Sequence, residues 1–130
     1  MMYISTNGNV GRFIFNKRDL FQDGRPKPAA VGPEFYDERY ETSVCGLFNV
    51  SEPRLQFLGK TIRSDKFALG LIKIPVPVIL SAGLLCEAEP TTFPEHGVIL
   101  GWNADDKALR MNTQAQIISS IRAEDVLKFD

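Results

Sequence analysis

The chain has 130 residues, of which 44% are hydrophobic and 24% charged, and its formal net charge is -1 at pH 7. This is the composition of a single ordinary globular domain, able to bury roughly two-thirds of the surface its unfolded chain exposes, with no need of an oligomer or a metal merely to fold. A charge so close to balance excludes general attraction to nucleic acid or to an anionic membrane, so any such binding has to be local.

The first fifteen residues, MMYISTNGNVGRFIF, lack the basic start and unbroken apolar stretch of a secretory signal, because Ser5, Thr6, Asn7, Gly8 and Asn9 interrupt them. A cytoplasmic location is expected. Cys45 and Cys86 lie far apart with no second thiol beside either, which excludes a CxxC redox pair or a zinc knuckle and predicts two reduced, buried thiols.

A strand is predicted over Val10 to Phe15, where Arg12 and Ile14 alternate with Phe13 and Phe15 after an Asn7-Gly8 turn signal. The stretch Asp23 to Pro33 holds three prolines and two glycines and reads as the main loop. A second strand is predicted over Glu41 to Phe48. Ser51 then caps a short helix with Leu55, Leu58 and Ile62 on its apolar stripe, which Gly59 ends or interrupts.

Phe67 to Cys86 has the length of a membrane span, but Lys73, Pro75 and Pro77 make it a buried strand over Phe67 to Ile74, followed by a short helix or turn to Gly83. No membrane partner is expected. Further strands are predicted over Leu84 to Ala88 and, after the turn-rich EPTTFPEHG, over Gly97 to Trp102. A helix follows, with Asn103 as N-cap, Asp105 and Asp106 at its positive end, and an apolar stripe of Ala104, Ala108, Met111, Ala115 and Ile118. Residues Asp125 to Asp130 are read as a terminal edge strand. Together these elements predict one α+β domain over residues 1–130, with a mixed or mainly antiparallel sheet and two or three helices packed on one face.

His96 is the only histidine, and histidine is the side chain whose unperturbed pKa suits proton transfer near neutrality. Its candidate catalytic companions are Ser43, Tyr36 and Tyr40, with Arg12, Arg25 and Arg63 as charge stabilisers; the alternative is a histidine bonded to backbone with no chemistry. Arg12, Lys17, Arg18, Arg25 and Lys27 are interleaved with Phe13, Phe15 and Phe21, the mixture a phosphate-and-base binder uses, and equally that of a solvated face beside core aromatics. An acidic stretch stands against it: Glu87, Glu89, Glu95, Asp105 and Asp106, with no lysine or arginine between Cys86 and Lys107. Glu87, Glu89 and His96 match no zinc or calcium spacing, so no metal site is predicted, and no cofactor. Walker, GxGxxG, GxSxG and HExxH motifs are absent. Trp102 is read as a packing residue or an interface anchor.

Arg12-Phe13, Pro26 with Pro28, Ser43-Val44, His96-Gly97-Val98-Ile99 and Gly101-Trp102, with Cys45-Gly46 standing where a basic residue is expected, make a pattern spread over most of the chain. It resembles small uncharacterised bacterial proteins of defence-type or toxin-antitoxin-like gene clusters. The resemblance implies a bacterial or phage-borne accessory protein and carries no activity or site residues.

The leading expectation is a non-catalytic accessory module that engages a partner protein, with Arg12, Arg25, Lys27 and Trp102 as binding residues. One alternative is a small enzyme acting on RNA or a nucleotide, with His96 as general acid or base beside Ser43 and Arg12. Another is a nucleic-acid-binding module built on Arg12 to Lys27. Assembly of the chain with itself stays open.

Overall fold

A computed structural model describes residues 3–129. It has the α+β architecture predicted: seven strands in one antiparallel sheet and three α-helices. The strands are β1 (Asn9–Ile14), β2 (Glu34–Tyr36), β3 (Arg39–Gly46), β4 (Gly70–Pro75), β5 (Leu85–Ala88), β6 (His96–Leu100) and β7 (Val126–Lys128). The sheet order is β5-β6-β3-β1-β4-β7, with β2 paired onto β3 outside that path. The helices are α1 (Glu52–Thr61), α2 (Val76–Ser81) and α3 (Lys107–Ile118).

Alternation along the central strands divides the core in two. Val10 and Ile14 of β1, Val44 of β3 and Ile72 and Ile74 of β4 pack with Val76, Ile79, Ile117 and Ile118 of α2 and α3. Phe13, Cys45 and Leu71, from the opposite face of the same strands, pack with Leu55 and Leu58 of α1. Strand β4 is apolar toward both sides, so the helices do not pack on one face as expected: α1 covers one side of the sheet and α2 and α3 the other. Each fully buried isoleucine of β4 contributes roughly 1.5–3 kcal/mol relative to exposure.

Helix α1 begins where predicted, with Ser51 Oγ accepting from the Arg54 amide at 3.3 Å and Pro53 in the first turn. Gly59 neither ends nor interrupts it. A Cβ there would stand 2.8 Å from the Phe129 ring and 3.2 Å from Ala68, so glycine lets the C-terminal segment close onto the helix. The span-like stretch from Phe67 is divided among β4, α2 and β5, and among the described residues no helix is long and apolar enough to cross a membrane.

Helix α3 departs from expectation. Asn103 Oδ1 accepts from the Asp105 and Asp106 amides at 2.9 and 2.7 Å, which forms a turn and delays the helix. Asp106 is the actual N-cap, accepting from the Ala108 and Leu109 amides. The predicted stripe fails with it: Ala108, Met111 and Ala115 are exposed and Ala104 lies before the helix, leaving Ile118 alone buried. The inward face runs through Arg110, Gln114, Ile117 and Ile118. Gln114 Nε2 donates to the Pro28 carbonyl at 3.1 Å, and the Arg110 guanidinium lies 3.9 Å from the Tyr40 ring centroid. Polar side chains satisfied by the proline-rich loop and an aromatic ring thus occupy positions that apolar periodicity assigns to hydrophobes.

Strand β2 is the other surprise. It pairs with β3 around Asp37 and Glu38, both at positive φ (52° and 65°), in a two-residue turn normally signalled by Asn-Gly or Asp-Gly. The C-terminal strand is present as β7 on β4; Asp130, its expected last residue, lies outside the described residues.

Candidate functional site

Strand β1 pairs with β4 along its whole length but with β3 only at Val10–Gly46 and Gly11–Cys45. Beyond Gly11 the two strands part, and the Arg12 side chain fills the gap. Its Nε donates to the Ala30 carbonyl at 3.1 Å and its Nη1 to the Ser43 carbonyl at 2.9 Å. Burial lowers the guanidinium's pKa from its ordinary value, while Glu34 and Asp19 act in the opposite sense.

A groove opens over this gap on the α1 face. Its larger part, about 440 Å³, has walls from Phe13, Phe15, Ile62, Arg63 and Phe93. Its smaller part, about 300 Å³, is lined by Glu34, Glu41, Glu89, Tyr36, Thr91 and Thr92. Arg12, Glu34, Ser43, Thr92 and His96 border both. One end of the groove is aromatic and the other acidic.

His96 stands where the ends meet. It opens β6 opposite Cys45 and is 7% exposed. Its Nδ1 lies 2.8 Å from the Glu89 carbonyl oxygen and 3.2 Å from Glu89 Oε2. In the neutral ring this makes Nδ1 the donor and leaves the lone pair on Nε2. Nε2 has no hydrogen bond within the described residues, yet no buried side-chain nitrogen or oxygen among them lacks a partner. Nε2 is therefore not sealed from solvent, and the His96 side chain lines the groove.

Two contacts hold the ring, Glu89 at Nδ1 and Phe93 packed edge-on at 5.1 Å between centroids, and the Glu89 amide fixes the backbone beneath it by donating to the His96 carbonyl at 2.8 Å. The Glu89 carboxylate in turn accepts from the Thr91 hydroxyl and amide. Those bonds, with a smaller contribution from His96, hold it below the usual carboxylate range.

Two neighbouring groups are structural. Glu95 is 6% exposed and meets Arg54 of α1 in a two-pronged ion pair of 2.7 and 3.0 Å. The pair ties α1 to the start of β6 and lowers the Glu95 pKa. Cys45, although directly across from His96, is buried with Sγ directed at the Gly46 carbonyl (3.3 Å). Burial, with the negative charge of Glu95, pushes its thiol up to about 12, so it is not a poised nucleophile.

The fold thus brings together Arg12, Ser43 and His96, with Tyr36 and Arg63 on the same groove. Arg63 is held by Asp65 at 2.7 Å and lies over the Phe15 ring. Ser43 Oγ makes no hydrogen bond to His96. Trp102 is elsewhere, buried in the α2–α3 core with its indole N–H donating to the Ile99 carbonyl at 3.2 Å. Arg25 and Lys27 lie over Phe21 on the loop, with Arg25 paired to Asp23, and Tyr40 faces α3 through Arg110.

The acidic stretch is not one patch. Glu89 lines the groove, Glu95 is paired inside, and Asp106 caps α3. Among the described residues no group of three or more histidine, cysteine, aspartate or glutamate side chains is placed to hold a metal ion. Sequence reasoning missed Glu34, Glu41 and Phe93. The signal for the two glutamates was the period-2 spacing of EFY and RYE about Asp37-Glu38. Compared with known proteins, the chain matches no family model, no curated protein and no solved structure.

Proposed function

We propose that the protein is a non-catalytic binding module, a cytoplasmic accessory component of a bacterial multi-component system, whose groove at His96 receives a segment of a partner protein. The observation that carries this reading is a nine-tenths buried histidine whose Nε2 has no partner among the described residues, set between an aromatic and an acidic wall of one open groove. A ligand entering the groove must satisfy that nitrogen or leave it desolvated, which gives the site selectivity. An open trough with walls of different character suits an extended segment better than an enclosed small molecule. Two free thiols, Cys45 and Cys86, fit a reducing compartment.

A small enzyme using His96 is the second reading, and the contact of Nδ1 with Glu89 favours it, since it orients the ring as a base is oriented. Against it stand the missing Ser43–His96 hydrogen bond and the inert Cys45 thiol. The nucleic-acid reading has less support: Arg12 directs two donors at carbonyls, Arg25 is paired, and glutamates flank the groove.

Recovery of the chain from its host with Ser43→Trp, which blocks the groove from an exposed strand position, tests the proposal. The wild type is expected to bring down one partner in a fixed ratio, and the variant to lose it with an unchanged melting temperature. Equal recovery by the variant, or no partner for either, would overturn it. A His96→Ala variant that keeps the partner but loses the cellular phenotype would favour the enzyme.

A further inference from the structure

Building on the groove as a partner-binding site, we propose that its occupant is a short extended stretch of polypeptide that places an apolar side chain in the aromatic half and an arginine in the acidic half.

The acidic half is short of positive charge. Glu34 and Glu41 are directly opposite each other in the β2–β3 ladder, a placement in which like charges repel. Glu41 has Arg39 at 3.3 Å, Glu34 has no ion pair within the described residues, and Glu89 lines the same half. Among the described residues Arg12 is the one lysine or arginine bordering it, and two of its donors are already committed to the Ala30 and Ser43 carbonyls. An incoming cation relieves this imbalance. The absence of a three-ligand cluster among the described residues points away from a metal ion and toward an organic cation. Guanidinium is the better match than ammonium, because it bonds carboxylates through two N–H groups and stacks on a ring such as Tyr36.

The other half, faced by Phe13, Phe15, Ile62 and Phe93, takes an apolar side chain. Because both halves share the borders Arg12, Ser43 and His96, one segment reaches into both. In an extended chain the side chains of residues i and i+2 point the same way about 7 Å apart, and the residue between them presents backbone to the groove. His96 Nε2, an acceptor in the tautomer set by Glu89, then receives a backbone N–H. The carboxylates that favour arginine repel a phosphate chain.

The test is an NMR titration of the isotope-labelled full chain with capped pentapeptides, Gly-Phe-Ser-Arg-Gly against Gly-Phe-Ser-Glu-Gly. The arginine peptide should shift the amides of Ser43, Thr92 and His96, the glutamate peptide should bind at least tenfold more weakly, and an E34Q/E41Q double variant should lose that preference. Equal binding of both peptides would overturn the arginine assignment while leaving the partner groove intact. Silence from both peptides at millimolar concentration would overturn the segment chemistry, and the Ser43→Trp recovery then decides whether the groove reading falls with it. A hexanucleotide RNA that shifts the same amides would overturn the proposal in favour of nucleic acid.

Discussion

The Arg12 guanidinium donates to the carbonyl of Ser43 across the gap between β1 and β3 at 2.9 Å, taking the place of a ladder bond that the parted strands cannot make. The groove lies where the strands separate, and the arginine spans that separation beyond the two ladder pairs, Val10–Gly46 and Gly11–Cys45, that join the strands. Lysine cannot reproduce this, since one ammonium cannot reach the Ala30 and Ser43 carbonyls in the fixed fork of a guanidinium. Arg12→Lys is therefore expected to lower stability by about 1–2 kcal/mol in urea unfolding, and to broaden the groove resonances of Ser43 and His96. Wild-type stability and spectra in Arg12→Lys would show that the bridge is dispensable.

The Glu95–Arg54 pair has a definite pH signature. Arg54 holds the Glu95 carboxyl below its usual range, so the native state binds that proton more weakly than the unfolded chain does. Its contribution is complete above the ordinary glutamate pKa of about 4.3 and is lost as pH falls from there through the depressed native value. Glu95→Gln should cost about 2 kcal/mol at pH 7, less than a fully buried pair because Arg54 remains 36% exposed. Its loss of stability in acid should also be shallower than that of the wild type. Parallel acid profiles for the two proteins would contradict this assignment.

Position opposite a histidine does not make Cys45 reactive. With burial pushing its thiol up to about 12 and that of Cys86 to about 11, neither is a thiolate at neutral pH. A thiol reagent such as iodoacetamide is expected to label the native protein far more slowly than the urea-unfolded chain, with Cys45 the slower of the two. Rapid labelling of native Cys45 would reopen a cysteine-based mechanism with His96 as its base.

The strands that carry the site were legible because β-structure announces itself through apolar runs: β1, β4, β5 and β6 all lie within a residue or a few of their predicted places. The convergence of Arg12, Ser43 and His96 was not legible, because it depends on strand order and on β1 and β3 parting after Gly11. Nothing local in the sequence encodes either. Helix α3 was misread for the opposite reason. Its local signals were present, but Asn103 used its side chain on a turn, and Gln114 and Arg110 found partners across the fold. The β2–β3 hairpin was hidden by a turn that uses Asp37 and Glu38 where glycine is expected.

That hairpin carries a prediction separating stability from function. Glu34 and Glu41 face each other at a cross-strand position where opposite charges would be worth a few tenths of a kcal/mol, and the chain has like charges there instead. Glu34→Gln removes the repulsion, and its attraction to Arg12 is through space only, with no hydrogen bond to lose. The variant is expected to melt at the wild-type temperature or slightly above it, within about 0.5 kcal/mol, while binding the arginine-bearing peptide more weakly. A residue kept for the fold would show the reverse: lower stability with binding unaffected. Thermal melts alongside the peptide titration tell the two apart, because a stabilised but weaker-binding variant is the mark of a charge pair placed to meet a cation.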